Sequence, residues 1–210
     1  LALPRGHART PVAWRAAYGG MLSHLRHRGL AGAYLLALAM FFGFIAVFTY
    51  LPYRLTAAPF RLSTGAVAGF YLVYLAGVVA SPLAGRLVGR LGAERLMAGG
   101  VAVAAVGVVL TLLPSLPAVV AGLVVLCLGM FTAQAVAPSY VNLAAAEPRG
   151  GATALYLAFY YLGGTLGSWL PGHAWQRAGW PGVVAASAGA LGLGFTAVMA
   201  LCRAPPRAGR

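Results

Sequence analysis

The stretch Ser81–Arg95, SPLAGRLVGRLGAER, separates two long apolar runs of the chain. One run precedes it from about Gly65, and the other follows it from Leu96 to Leu113. Its glycines and arginines are Gly85, Arg86, Gly89, Arg90, Gly92 and Arg95. Two apolar runs joined by a short basic turn are typical of a transmembrane hairpin with its turn in the cytoplasm. The glycines predict a close approach of the two helices, and the arginines predict contact with anionic headgroups.

The composition predicts a membrane protein, because 61% of the residues are hydrophobic and only 8% are charged. The net charge of +13 does not indicate a nucleic-acid partner, because the arginines lie between apolar runs and not on one basic face. Cys127 and Cys202 lie in or beside apolar runs, and we expect them to be small packing residues. The predicted spans contain no acid and no metal-ligand set, so we expect no enzyme activity, no metal and no cofactor.

Apolar runs predict six transmembrane spans, at about 31–51, 65–83, 96–113, 118–140, 152–170 and 181–201. Residues 1–30 are predicted to be a basic cytoplasmic linker with a weakly amphipathic helix over Val12–Arg28, and residues 203–210 a cytoplasmic tail. Of the 15 arginines, only Arg54, Arg61 and Arg177 fall on the other side of the membrane. This asymmetry places both ends of the segment in the cytoplasm.

Residues 31–114 and 117–201 each hold three predicted spans and are nearly equal in length. Two repeats with an odd number of spans must be inverted relative to one another. The predicted fold is therefore an all-α membrane protein made of two inverted three-helix repeats. The chain starts at Leu1 without a signal peptide, and we expect it to be the back part of a longer protein.

The spacing of Gly85, Arg90, Gly92 and Arg95 resembles the signature loop of major facilitator superfamily (MFS) transporters. In that family the loop joins the second and third helices of each six-helix half. Gly89 stands where the family usually has an aspartate, so the charge relay attributed to that aspartate is in doubt here. The resemblance implies that residues 31–202 are the C-terminal half of a twelve-helix transporter whose partner is an N-terminal six-helix half.

The segment Glu147–Trp180 resembles the eleventh-helix region of the drug:proton antiporter-like branch, often labelled arabinose efflux permeases. Gly129, Phe131 and Gln134 in the fourth span fit the same branch. This resemblance implies proton-coupled efflux of small amphipathic compounds across the inner membrane by alternating access. The alternatives are an exporter of sugars or other metabolites in the same superfamily, and a self-contained six-span scaffold protein.

The resemblance also implies a substrate cavity at mid-membrane, and seven polar or aromatic residues of the first, second, fourth and fifth spans are candidates to line it. These are Phe41, Phe48, Tyr71, Tyr74, Gln134, Tyr156 and Tyr160. Aromatic walls suit amphipathic cations through stacking and cation–π contact, but the same side chains also suit packing between helices or contact with lipid. Gln134 differs, because a buried amide needs a polar partner.

Gly163 and Gly167 form a small-xxx-small pair, which predicts a close helix contact in the fifth span. Both acids of the chain, Glu94 and Glu147, fall in predicted cytoplasmic loops. If transport is proton-driven, we therefore expect the titrating group in the N-terminal half.

Overall fold

The computed structural model describes residues 24–145 and 149–202, without the side chain of Arg149. Residues 1–23, with most of the predicted amphipathic helix, Glu147 and residues 203–210 lie outside this part. The described chain is helical, with no β-strand in it. Its α-helices are α1 (Arg28–Thr56), α2 (Thr64–Gly69), α3 (Ala76–Leu91), α4 (Ala93–Leu110), α5 (Leu116–Ala144) and α6 (Arg149–Leu201). A 3₁₀-helix, Phe70–Leu75, joins α2 to α3 without a break.

Five helical stretches of the described residues are long and apolar enough to cross a membrane, which confirms the all-α membrane fold. The last of them, α6, has 53 residues and would be about 80 Å long if straight. That length exceeds two crossings of a hydrocarbon core of about 30 Å. Gly179, with φ 60° and ψ −141°, interrupts it. Helix α6 therefore consists of two limbs, residues 149–178 and 180–201. These limbs supply the fifth and sixth crossing lengths, by which we mean helical segments long enough to span the membrane.

The connection between these limbs is shorter than the loop that the sequence predicts between residues 170 and 181. The helix continues through Pro171 as far as residue 178, and only Gly179 leaves helical geometry. Proline is tolerated in membrane helices because neighbouring helices compensate for the lost hydrogen bond. The positive φ of Gly179 is the feature that separates the limbs, because a residue without a Cβ adopts it at no steric cost.

The predicted turn at Ser81–Arg95 is also almost entirely helical. Helix α3 runs to Leu91 and α4 starts at Ala93, so Gly92 alone, at φ 86° and ψ 155°, forms the turn. Glu94 lies in the first turn of α4, where the helix dipole favours a negative charge. The predicted close approach at Gly85 and Gly89 is wrong within the described chain, because a methyl group added at either would meet no atom within 4 Å.

Helix α1 is the central helix, and it packs chiefly against α6. A Cβ on Gly163 would overlap the carbonyl oxygen of Leu38, and a Cβ on Gly167 would overlap that of Phe42. The backbones of α1 and of the first limb of α6 are therefore in direct contact. Small residues allow this approach, which increases the packing area between the two helices.

Helices α4 and α5 make a second glycine contact, which was not predicted from the sequence. Gly107 lies against the backbone of Gly122, and Gly129 lies against the backbone of Gly100. In each helix the two glycines are seven residues apart, which is close to two full turns, so they lie on the same face of the helix. The two contacts together, one at α1–α6 and one at α4–α5, hold the bundle in two tightly packed pairs.

Arg54 and Trp180 connect the helices at the end of the bundle that lies opposite Gly92. The Arg54 guanidinium donates to the carbonyl oxygens of Leu112 and Leu113 at 3.4 and 3.2 Å. Its central carbon also lies 5.2 Å from the centroid of the Trp180 ring, within the range of a cation–π contact. The indole N–H of Trp180 donates to the carbonyl oxygen of Thr111 at 3.1 Å. These contacts tie α1 to the α4–α5 turn and to the second limb of α6.

The α1–α6 contact predicts that Gly163→Ala destabilises the protein by about 1–3 kcal/mol, the usual effect of an extra methyl group in a packed interface. The matched control is Gly189→Ala in the second limb, where an added methyl group meets no atom within 4 Å. Thermal unfolding of the full-length protein in detergent measures both variants. Equal melting temperatures for the two would contradict the backbone contact.

Candidate functional site

A cluster of aromatic side chains lies where α1, the 3₁₀-helix, α5 and the first limb of α6 come together. Phe44 is at its centre, with ring centroids 4.7 Å from Phe48, 5.3 Å from Tyr74 and 6.2 Å from Phe131. The members of this aromatic cluster are Phe41, Phe44, Phe48, Tyr71, Tyr74, Phe131, Tyr160 and Tyr161. Contacts between rings at these distances favour one fixed arrangement of the cluster.

The closest ring contact of the cluster joins α1 to α6. Phe41 stacks on Tyr160 with centroids 3.9 Å apart and an angle of 10° between the ring planes. A Cβ on Gly164 would overlap the Phe41 ring, so the absence of a side chain there makes room for the stack. The glycines that bring the two helices together thus also fix the position of this aromatic pair.

The 3₁₀-helix places two tyrosines on one side of the chain. With three residues per turn, positions three apart are eclipsed, so Tyr71 and Tyr74 point in the same direction. The Tyr71 hydroxyl donates to the carbonyl oxygen of Phe48 at 3.1 Å. The Tyr74 ring meets the Phe48 ring edge-on, with centroids 4.6 Å apart. Both tyrosines therefore pack against α1 at the same point.

Gln134 has the polar partner that the sequence requires of it. The Tyr156 hydroxyl donates to Gln134 Oε1 at 2.9 Å, which joins α6 to α5. Tyr156 is 1% exposed, whereas Gln134 is only half-buried. No acceptor among the described residues binds the Gln134 NH₂ group, so this amide can donate to a bound molecule.

The structure divides the seven predicted cavity residues into two groups. Phe48 and Tyr156 are buried, so their contacts are with neighbouring helices. The other five are half-buried or more exposed and can also touch a molecule at the surface of this helix bundle: Phe41, Tyr71, Tyr74, Gln134 and Tyr160. The hydroxyls of Tyr74 and Tyr160 form no hydrogen bond within the described residues. This surface offers rings, hydroxyls and one amide, and it suits an uncharged or cationic amphipathic molecule.

Phe44 and Phe131 belong to the aromatic cluster but are not among the residues predicted to line the cavity. Phe44 follows Phe41 by three positions and precedes Phe48 by four, and Phe131 precedes Gln134 by three. Residues at these spacings share one helix face, so the signal was present in the sequence.

The residues of the predicted signature loop lie at the other end of the bundle. Arg86 and Arg90 are on α3, Gly92 forms the turn, and Arg95 is in the first turn of α4. We call this the arginine-rich end. It contains Arg28, Arg90 and Arg95, together with Leu201 at the end of α6. All three arginines of the loop, Arg86, Arg90 and Arg95, are exposed, and of them Arg90 and Arg95 line a cavity at that end, whereas Arg86 does not.

The Tyr156–Gln134 hydrogen bond predicts that Tyr156→Phe lowers the melting temperature, with a coupling to Gln134→Met of about 0.6–1.7 kcal/mol in a double-mutant cycle. The control is Tyr34→Phe, because Tyr34 is also fully buried but its hydroxyl has no hydrogen-bond partner among the described residues. Removing that hydroxyl leaves stability unchanged or raises it. If Tyr34→Phe cost as much as Tyr156→Phe, the hydrogen bond would carry no stability of its own.

Comparison with known proteins identifies a family match over most of the chain. The sequence model of the Major Facilitator Superfamily matches residues 30–210. An inner membrane transport protein of Escherichia coli (strain K12) is 35% identical over 76% of this chain and 38% of its own length.

Two further relatives are also named as transporters. A probable transporter of Streptomyces coelicolor is 32% identical over 94% of this chain and 42% of its own length. An MFS-type transporter of Bacillus subtilis (strain 168) is 28% identical over 78% of this chain and 41% of its own length. The chain thus spans about two-fifths of the length of the curated relatives that it matches.

Proposed function

The chain belongs to the Major Facilitator Superfamily, and from this premise we propose that it forms the C-terminal six-helix half of a secondary membrane transporter. The chain matches about two-fifths of the length of each relative, which supports the proposal that it is one half of a larger transporter. The six crossing lengths of α1 to α6 support the same division. The partner is then an N-terminal six-helix half, which faces this one across the substrate pathway.

We propose that the transporter exports small amphipathic compounds, among them cations. The observation that carries this proposal is the aromatic cluster with its partly exposed rings Phe41, Tyr74 and Tyr160. A cation over such a ring is attracted by about 0.5–2 kcal/mol, depending on how far it is desolvated. The Gln134 NH₂ group, which binds no acceptor among the described residues, and the tyrosine hydroxyls add a small number of oriented polar contacts, as ligand pockets have.

The proposed mechanism is alternating access by rocking of the two halves about the substrate site. The glycine contacts of α1 with α6 and of α4 with α5 support it, because they form two tightly packed helix pairs, which the hydrogen bonds of Arg54 and Trp180 join. A half held together in this way can move as a unit. The wall that this half presents to the substrate is the exposed part of the aromatic cluster. Substrate would bind between this wall and the N-terminal half.

We further propose that export is coupled to protons through a group in the N-terminal half. The described spans of this half carry no carboxylate within the membrane, since Glu94 lies at the arginine-rich end. A membrane-buried acid is the usual proton-coupling group, because low dielectric raises its pKa toward the working range. The arginine distribution supports an orientation with both ends of this segment in the cytoplasm. The similarity to an inner membrane transport protein of Escherichia coli supports an inner-membrane location.

A second candidate function is export of sugars or related polyols. The same surface favours it in one respect, because sugars stack on aromatic rings and hydrogen-bond to amides and hydroxyls. Gln134 and the hydroxyls of Tyr74 and Tyr160 are the donors available for this role. The two candidates differ in what the pathway carries, and a transport assay separates them.

The proposal predicts that Tyr160→Leu lowers efflux of a fluorescent cationic dye about 2- to 30-fold, which is the loss of one cation–π contact of about 0.5–2 kcal/mol converted to a rate ratio. The assay uses whole cells that express the full-length protein, with membrane abundance measured in parallel. Trp169→Leu is the matched control, because Trp169 lies on the same limb, is 62% exposed and, among the described residues, has a ring contact only with His173, which it meets edge-on.

Dye efflux that is unchanged in Tyr160→Leu at normal abundance would remove the aromatic cluster from the pathway. If the unmutated protein exports no dye but lowers the accumulation of a radiolabelled sugar, the second candidate replaces the first. Equal loss in Tyr160→Leu and Trp169→Leu would indicate a general defect of the helix and would contradict the assigned role of Tyr160.

A further inference from the structure

A large basic cavity lies at the arginine-rich end, where the ends of α1, α3, α4, α5 and α6 converge. Its volume is about 1030 Å³. Arg26, Arg28, Arg90 and Arg95 line it together with one acid, Glu94. The wall between these charges is formed by the Gly92 turn and by the last residues of α5 and α6.

The positive charge of this cavity is not balanced within the described chain. None of the four arginines forms an ion pair with any described residue. Four guanidinium groups against one carboxylate leave an excess of positive charge, which favours an anion in the cavity. Guanidinium groups bind phosphate in particular, because their paired N–H donors match two phosphate oxygens at once.

A second cavity adjoins the first and has the opposite chemistry. It is a groove of about 700 Å³ between α1 and the two limbs of α6. Its lining is apolar except for Thr196, with Leu35, Phe42, Leu166 and Leu193 along its sides. From Ala186 to Leu201 it follows α6 for about 22 Å. That exceeds the depth of one leaflet, which is about 15 Å.

The two cavities share part of their wall. Ala200 and Leu201, at the end of α6, line both the basic cavity and the apolar groove. A molecule that fills both must carry an anionic group at one end and a long hydrocarbon chain at the other. A soluble phosphate would satisfy the arginines but would leave the groove empty.

We propose that the basic cavity and the groove together bind one anionic phospholipid. Its phosphate lies between Arg90 and Arg95, and one acyl chain lies in the groove along α6. The lipid then connects the start of α1, the α3–α4 turn and the end of α6. This site does not depend on the proposed transport activity, since it requires only that the bundle lies in a membrane.

The test measures lipid retention by native mass spectrometry of the full-length protein, taken from nanodiscs that contain phosphatidylcholine and phosphatidylglycerol. We expect one phosphatidylglycerol per chain to survive delipidation. The double variant Arg90→Gln, Arg95→Gln should lower its retention about tenfold or more, because two charge-assisted contacts are lost. The matched control is Arg86→Gln, an exposed arginine on α3 outside the cavity, which should retain the lipid.

A second pair of variants tests the groove without changing the charge. Ala190→Phe fills the groove and should also abolish lipid retention. Ala185→Phe, on the exposed side of the same limb and outside the groove, should leave it intact. Because the two pairs are independent, the proposal can be tested even if one of the four variants fails to fold.

A third experiment distinguishes the phosphate of a lipid from a soluble phosphate. Inorganic phosphate is added to the protein in nanodiscs of phosphatidylcholine alone. For a lipid site, phosphatidylglycerol raises the melting temperature and millimolar phosphate does not. If inorganic phosphate protects the protein as well as phosphatidylglycerol, the cavity binds a soluble anion and the lipid proposal is overturned. Equal retention of phosphatidylglycerol by the Arg90/Arg95 double variant and by Arg86→Gln would overturn it as well.

Discussion

The arrangement of this bundle depends on the backbone contact between α1 and the first limb of α6. In a membrane, apolar side chains gain little by leaving lipid for protein, so helices associate through packing area and close approach. Gly163 and Gly167 supply that approach at Leu38 and Phe42. The Phe41–Tyr160 stack follows from it, because the two rings can reach 3.9 Å only when the helix axes are this close. A tight helix pair and an ordered aromatic surface are thus two results of the same missing Cβ atoms.

The sequence predicts the number of crossing lengths well and the boundaries between them poorly. Apolar runs report which residues can lie in hydrocarbon, and that signal is strong for α1 and α5. The stretch Ser81–Arg95 combines basic residues with glycines, which predicts a surface location but says little about the backbone. Arginine and leucine are good helix formers, so α3 continues to Leu91. What ends it is the positive φ of Gly92, and the sequence does not distinguish this glycine from Gly85 or Gly89.

The candidate site shows the same limit at the level of side chains. Helical spacing predicts which aromatic residues share a face, but it does not predict which of them a neighbouring helix covers. Phe48 and Tyr156 prove to be buried, whereas Tyr160 and Gln134 are partly exposed. That difference is set by contacts between residues distant in the chain. The requirement that Gln134 find a polar partner was predictable, because an amide buried in an apolar environment is costly without a hydrogen bond.

The 3₁₀-helix Phe70–Leu75 has a consequence for the whole membrane span that contains it. Over six residues it winds about 120° further than an α-helix and extends the chain by about 3 Å. Helix α3, with Arg90 near its end, is therefore rotated by a third of a turn relative to α2. If these six residues returned to α-helical geometry, Tyr71 and Tyr74 would separate in direction and Arg90 would turn away from the basic cavity. The winding of this one segment thus mechanically links the aromatic cluster inside the membrane to the charged surface at its edge.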